Sequence, residues 1–269
     1  MKRIDKPKFG VEDVYPDCIR HKRNRHDMEK VLPDLILHEK KYDCLACDSK
    51  IEELDIITDD YLKKYDLSKK DMVYIYESGM LKPEWEGRHW YNKLIALSRR
   101  CPYCDVGIVK TLDHYLEKTT SLGTTVTPIN LIPSCRDCNS YKMGEDKVVW
   151  HPYYDGPISF RWLHAEYLEY DQIEYSVVIP AEYEDTYESR IIRNSFVVFH
   201  LAELYGAQAI ELLNDIRVRM TELKACSIEL VKEDLEGRYR SSLAADNNSY
   251  TTALYECLMN SSQYIDDLG

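Results

Sequence analysis

Residues 101–144 read CPYCDVGIVKTLDHYLEKTTSLGTTVTPINLIPSCRDCNSYKMG, and this stretch decides the fold. It contains two C-x-x-C pairs, Cys101 with Cys104 and Cys135 with Cys138. Four thiolates in two such pairs suit one tetrahedral zinc ion, and a site with no open coordination position is structural. The spacing therefore predicts a closed zinc site that ties the two ends of the block together.

The pattern around these pairs predicts the order strand, loop, strand, helix. Residues 107–115 alternate apolar and polar side chains, residues 124–132 read as a second strand, and residues 135–145 read as a short helix. The first strand ends in Asp113 and His114. Because adjacent strand residues face opposite sides, these two serve one site only if the strand ends or twists there.

The order C-x-x-C, D-H, N-L, C-x-x-C-N-x-x-K resembles the HNH endonucleases, over roughly residues 96–151. The resemblance implies the ββα-metal fold and metal-dependent hydrolysis of phosphodiester bonds in DNA. The longer run LDHYLEK…NLIPSC…CN…HPYYD also resembles stand-alone bacterial HNH proteins, some of them from anti-phage defence. Glu117 departs from the pattern, since the family more often has proline there.

The resemblance also implies a role for each polar residue of the block. His114 matches the general base, an imidazole that takes a proton from the attacking water. Asp113 and Asn139 match the ligands of one catalytic divalent ion, Mg²⁺ or Mn²⁺. Asn130 matches the asparagine that braces the loop and the histidine. Lys142, one helical step beyond Asn139, is expected to meet a substrate phosphate.

Other interpretations stay open at this point. The Asp-His pair, both asparagines and Lys142 each have an ordinary alternative as surface or turn residues. Arg99 and Arg100 either contact phosphates or are solvated, and the same two interpretations apply to the basic cluster of residues 20–25. The rival function is a zinc-ribbon-like module that binds nucleic acid or protein without catalysis.

The net charge of −12 is unevenly distributed over the 269 residues. Residues 1–151 hold 26 basic and 26 acidic side chains, whereas residues 152–269 hold 9 basic and 21 acidic ones. The neutral first part permits phosphate binding, but the acidic second part opposes contact with DNA. We therefore expect the acidic half to be scaffold, or a docking surface for a protein partner such as an ATPase.

These patterns predict an α+β protein in three parts. Residues 1–90 form a helical region, residues 91–151 the zinc-clamped HNH domain, and residues 152–269 an acidic, mostly helical region. In the last part, residues 158–164 and 172–179 are expected to pair as a hairpin. A helical hairpin is expected to follow, broken at Gly206.

Composition also bears on the compartment. No apolar run approaches the roughly 20 residues that a membrane-spanning helix needs. The basic N-terminus lacks the apolar stretch of a signal peptide, so the prediction is a cytoplasmic protein.

The remaining cysteines and two histidines give weaker indications. Four residues have C-x-x-H or C-x-x-C spacing: Cys18, His21, Cys44 and Cys47. They either form a second zinc site or are unrelated residues with buried or free thiols. Buried core positions are expected for four others that lie on apolar patterns: Cys226, Cys257, His164 and His200.

Overall fold

The computed structural model describes residues 1–144 and 147–268. The chain divides into two compact units, an N-terminal unit (Met1–Pro157) and a C-terminal unit (Ile158–Gly269). Both combine several helices with one two-stranded antiparallel sheet. The α+β class expected from the sequence is confirmed, with helices in the majority.

The N-terminal unit places helices before, and one helix after, its two strands. In chain order its elements are α1 (Val11–Ile19), α2 (Arg25–Cys47), α3 (Asp59–Leu62), α4 (Lys69–Tyr74), α5 (Gly87–Ile95), β1 (Thr111–His114), β2 (Leu131–Ser134) and α6 (Arg136–Lys142). A π-helical segment, Ile75–Met80, follows α4. The order strand, loop, strand, helix expected for the cysteine-rich block is thus present.

One hydrophobic core joins the helical region to the cysteine-rich block. Val14 of α1 and Met28 and Leu35 of α2 belong to the same buried cluster as Leu112 of β1 and Leu131 of β2. The sequence indicated a boundary near residue 90, yet both sides of it lie in one compact unit. The helical region therefore supplies part of the packing on which the block rests.

The second strand of the block is shorter than the sequence indicates. It was expected over residues 124–132 but begins at Leu131. The hydroxyls of Thr124, Thr125 and Thr127 each bond a main-chain carbonyl three or four residues back. Such local bonds favour turns over a strand ladder, and two 3₁₀ turns precede β2.

The C-terminal unit begins with the expected hairpin. Its elements are β3 (Leu163–Tyr167), β4 (Ile173–Val177), α7 (Tyr187–Val198), α8 (Leu201–Cys226), α9 (Ile228–Ala245), α10 (Tyr250–Asn260) and α11 (Ser262–Asp267). Strands β3 and β4 pair antiparallel. The first strand starts later than residues 158–164 indicated, because the Asn248 side chain binds the Phe160 carbonyl and the Trp162 N–H.

The predicted break at Gly206 is wrong. Gly206 lies inside α8, and a Cβ atom there would stand 3.2 Å from the Ile173 carbonyl oxygen, so glycine permits the close approach to β4. The break falls instead at His200, whose φ of 50° is left-handed.

Among the described residues no single helix is long and apolar enough to cross a membrane; α7 and α8 reach that length and composition only together, across a 68° bend.

Three of the four predicted core positions of this unit are also wrong, and the fourth is buried only in part. His164 is exposed because it points away from the buried face of β3, and His200 is exposed at the helix break. Cys226 is exposed at the end of α8, and Cys257 is half-buried. Helical or alternating patterns placed these residues near apolar neighbours without showing which face packs inward.

Candidate metal centre and the groove beside it

The four block cysteines form one buried cluster. The Sγ atoms of Cys101, Cys104, Cys135 and Cys138 all lie within 4.8 Å of one another. Those of Cys104 and Cys135 are 4.0 Å apart. Zinc–sulfur bonds of about 2.3 Å in a tetrahedron place sulfurs about 3.8 Å apart, so the cluster fits a zinc ion.

Main-chain groups support these sulfurs. The Gly107 N–H donates to Cys104 Sγ at 3.3 Å, and the Cys138 N–H donates to Cys135 Sγ at 3.4 Å. A Cβ atom on Gly107 would lie 2.7 Å from the Cys135 Cβ, so the turn requires glycine. The backbone is thus shaped to bring the two C-x-x-C pairs together.

The cluster and the sheet place three elements side by side. Antiparallel pairing sets Asp113 opposite Ile132 and His114 opposite Leu131. Cys135 caps the N-terminus of α6 and Cys138 lies in its first turn. The helix is therefore held beside the end of β1, where the first strand stops at His114.

Asp113 is buried and held by two neighbours. The Tyr103 hydroxyl donates to its Oδ2 at 2.7 Å, and Lys142 Nζ lies 3.4 Å from the same oxygen. Among the described residues, Oδ1 of Asp113 has no hydrogen-bond partner. The contacts of this carboxylate with the protein therefore all involve Oδ2.

Lys142 is turned toward the strand end. Its Nζ donates to the carbonyls of His114 and Tyr115, at 2.9 and 2.7 Å, and its side chain is only 9% exposed. The sequence predicts a contact with a substrate phosphate. In this structure the ammonium group instead binds Asp113 and two carbonyls, so it orients the strand end.

His114 is held in one tautomer. Its Nε2 lies 2.8 Å from the carbonyl oxygen of Thr125, which can only accept, so Nε2 carries the proton and Nδ1 keeps its lone pair. The ring also packs against Tyr76, with centroids 4.4 Å apart. Desolvation lowers the pKa of His114 to about 3, and the nearby Lys118 and Lys142 lower it too, while the hydrogen bond to Thr125 opposes the shift. The imidazole is therefore neutral near pH 7.

Asn130 is fully buried and binds the loop that follows His114. Its Oδ1 accepts from the Leu116 N–H at 2.7 Å, and its Nδ2 donates to the carbonyls of Leu116 and Thr124 at 3.0 and 3.2 Å. The next carbonyl, that of Thr125, holds His114. This asparagine thus fixes both sides of the loop that orients the imidazole.

Tyr42 and His151, which the sequence analysis missed, extend this network. The Tyr153 N–H donates to His151 Nδ1 at 3.4 Å, so Nε2 carries the proton and donates to Tyr42 Oη at 2.9 Å. The Tyr42 hydroxyl in turn donates to Asn130 Oδ1 at 3.3 Å. Burial lowers the pKa of His151 well below its ordinary value, and burial raises that of Tyr42 well above its own. Both groups are neutral, and they form the relay His151–Tyr42–Asn130.

Asn139 completes the set at one groove. It is half-buried on α6, and among the described residues its side chain has no hydrogen-bond partner. A groove of about 770 Å³ is lined by Asp113, His114, Asn139 and Lys142 together. The structure thus brings four of the five predicted site residues to one cavity, while Asn130 lies buried behind it.

The second zinc interpretation finds no support. Cys18 is buried in the core, Cys44 and Cys47 are exposed at the end of α2, and His21 Nε2 contacts Glu86 at 2.7 Å. Among the described residues, the only group of three or more potential ligands is the four-cysteine cluster. These four residues do not come together.

Three of the four Lys and Arg side chains at residues 20–25 form ion pairs: Arg20, Lys22 and Arg25. Arg20 contacts Asp17 and Glu86, and Lys22 contacts Asp71. Arg99 and Arg100 are exposed, and Arg100 donates to the Asp105 carbonyl at 3.2 Å. Ion pairing leaves residues 20–25 less suited to a phosphate-contacting arm than their composition indicated.

Comparison with known proteins finds one phage relative. The chain is 28% identical over 221 residues to Protein ea31 of Escherichia phage lambda, a match that covers 74% of each chain. No protein-family model matches the chain. No solved structure matches it. The similarity to ea31 extends well beyond the cysteine-rich block, and its name states no activity.

Proposed function

We propose that this protein is a metal-dependent endonuclease of the HNH type that hydrolyses phosphodiester bonds in DNA. The observation that carries the proposal is the convergence of Asp113, His114 and Asn139 on one groove. Two strands and a helix next to four clustered cysteines support assignment to the ββα-metal fold. A purely structural zinc ribbon has no need of this set of residues.

In the proposed reaction His114 is the general base. Its Nδ1 takes a proton from the attacking water, the new P–O bond forms, and the bond to the 3′ oxygen breaks. The products carry a 5′-phosphate and, after protonation by solvent, a 3′-hydroxyl. A bound phosphodiester brings negative charge beside the ring, which favours the protonated imidazole and so strengthens the base.

Asp113 and Asn139 are the proposed ligands of the catalytic ion. A carboxylate oxygen and an amide oxygen on neighbouring elements suit Mg²⁺ or Mn²⁺, which accept few protein ligands and keep several waters. When bound, the ion supplies positive charge to the phosphate and the leaving oxygen. Tyr103 and Lys142 hold the carboxylate in position through its other oxygen.

The first test is the metal requirement of cleavage. We expect the purified protein to cut plasmid and single-stranded circular DNA with Mg²⁺ or Mn²⁺, to stop in EDTA, and to resume when excess Mg²⁺ is added. Zinc content is measured in the same samples, so that loss of the structural ion is seen separately. DNA binding without cleavage in any metal would overturn the proposal in favour of the binding module.

The relay His151–Tyr42–Asn130 yields a second prediction. Tyr42→Phe removes one hydroxyl that donates to Asn130, with little change of volume. We expect the cleavage rate constant to fall about 5- to 10-fold at saturating DNA, as for the loss of one buried hydrogen bond. The apparent KM and the zinc content should stay unchanged.

A conservative control separates positioning from stability. Tyr153→Phe removes another buried hydroxyl, which donates to the Leu131 carbonyl of β2 rather than to Asn130. We expect it to lower Tm comparably but to leave the rate constant within about twofold. Equal rate losses in both variants would contradict a positioning role for Tyr42.

The biological role stays a prediction. Anti-phage defence is implied by the resemblance of the block, and the similarity to a protein of phage lambda does not indicate that role. Docking of the acidic C-terminal unit on a partner such as an ATPase is likewise untested. Cleavage by the complex but not by the isolated chain is the expected sign of such a partner.

A further inference from the structure

The groove at the proposed site has one wall that catalysis does not use. Residues of the helical region form it, and their side chains are apolar or aromatic: Ile51, Leu54, Ile56, Tyr76, Leu81 and Tyr91. The same groove is lined by Asp113, His114 and Asn139. Tyr76 connects the apolar residues to this set, because its ring packs against the imidazole.

The charge of the groove gives little attraction to a phosphate backbone. Among the described lining residues, three lysines face three carboxylates: Lys118, Lys142, Lys147, Glu52, Asp113 and Glu117. Lys142 is paired with Asp113, and Lys118 lies 2.9 Å from Glu77 outside the groove. The described lining is formally neutral, so attraction to phosphates, which drives non-specific nucleic-acid binding, contributes little here, and contacts to a base are needed to supply affinity.

Exposed apolar surface marks the rim of the same groove. Ile56 is 50% exposed and Met143 is 75% exposed, and both line the cavity. A phosphodiester backbone offers no apolar surface to cover them. A nucleobase does, because its flat face stacks on aromatic and apolar side chains whatever its sequence.

We propose that the apolar wall binds an unstacked base next to the scissile phosphate, so that the enzyme prefers single-stranded or locally unpaired DNA. The inference rests on the proposed nuclease function and specifies its substrate. In a duplex the same base must first be unpaired and unstacked, which costs free energy that a single strand does not. The exposed apolar side chains of Ile56 and Met143 add binding only once the base is free.

Binding by the His114→Ala variant tests the preference without cleavage. Fluorescence anisotropy compares a 20-nucleotide single strand, the same sequence as a duplex, and that duplex with a three-base bulge, at one salt concentration. We expect the single strand and the bulge to bind about tenfold more tightly than the duplex. Equal or tighter binding of the duplex overturns the inference.

Substitution at the rim tests the wall itself. Ile56→Ser is expected to reduce the single-strand preference about threefold or more, and Ile56→Trp to retain or increase it. Leu37→Ser is the matched control, because Leu37 is 69% exposed on α2 and lies outside the groove. The same loss in Ile56→Ser and Leu37→Ser would contradict the proposed base site.

The two proposals fail in different ways. Metal-dependent cleavage that prefers duplex DNA refutes the base site and leaves the nuclease standing. Single-strand binding that Ile56→Ser weakens, with no cleavage by the wild type, retains the base site and refutes the nuclease. Binding of no DNA, with an apolar peptide held in the groove instead, refutes the base site.

Discussion

Cys104→Ser is expected to abolish stoichiometric zinc binding and to lower the Tm of the protein by roughly 6–12 °C. The four sulfurs are buried within 4.8 Å of one another, so the loss of one leaves three thiols with an incomplete tetrahedron. A loss of about 3 kcal/mol of unfolding free energy corresponds to that shift for a unit of this size.

The cysteine cluster stabilises the block because it links the elements that carry the proposed site. It joins the turn before β1 to the first turn of α6, and these elements carry Asp113, His114 and Asn139. Without zinc the two ends of the block keep the short ladder between β1 and β2 and the contacts of Lys142 with the end of β1, but lose the link between the two C-x-x-C turns. We therefore expect cleavage to be lost together with zinc.

Cys44→Ser is the matched control for this prediction. Cys44 also belongs to a C-x-x-C pair, but it is exposed at the end of α2 and outside the cluster. We expect one zinc ion per chain and an unchanged Tm. Zinc content by elemental analysis and thermal unfolding are the measurements, and equal zinc content in both serine variants would exclude the four-cysteine site.

Local spacing was enough to predict the four-cysteine cluster, whereas the roles expected for Asp113, His114 and Asn139 come from the resemblance to the HNH endonucleases. The two C-x-x-C pairs come together as expected, and Asp113 and His114 both reach the groove because β1 ends at His114. A four-residue strand that stops there removes the conflict between adjacent residues and one site. The helix with Asn139 follows directly from Cys135 as its cap.

Contacts between residues far apart in the chain could not be predicted. Tyr42 and His151 are 109 residues apart, and no periodicity in either segment indicates that they meet behind Asn130. The apolar wall likewise comes from the helical region, whereas the resemblance covered residues 96–151. Pairings of this kind depend on tertiary contacts that single-sequence patterns do not encode.

Side-chain direction was the other source of error. Lys142 was expected at a phosphate, and its place on α6 is consistent with that, but its ammonium group turns back to the end of β1. Likewise, the sequence predicts a helix break at Gly206, but this residue lies inside α8, where its lack of a side chain permits the close contact with β4. In both cases main-chain carbonyls of a neighbouring strand determine what the residue does.

His114→Ala is expected to reduce DNA cleavage by two to four orders of magnitude. The change removes Nδ1, the ring nitrogen that keeps its lone pair because Nε2 carries the proton and donates it to the Thr125 carbonyl. It does not touch the cysteine cluster, so zinc content should stay unchanged; loss of the bond to Thr125 and of the ring contact with Tyr76 lowers Tm, and rates are therefore compared well below the Tm of each protein. His164→Ala is the control, because that imidazole is exposed on β3 and has no place in the groove.

The most direct test of the proposed site is a side-by-side cleavage rate. Single-turnover cleavage of one labelled DNA is measured in Mg²⁺ with the wild type, His114→Ala and His164→Ala at equal zinc content. We predict full activity for the wild type and His164→Ala, and at least a hundredfold slower cleavage by His114→Ala. Equal rates for all three proteins would contradict the assignment of His114 as the base.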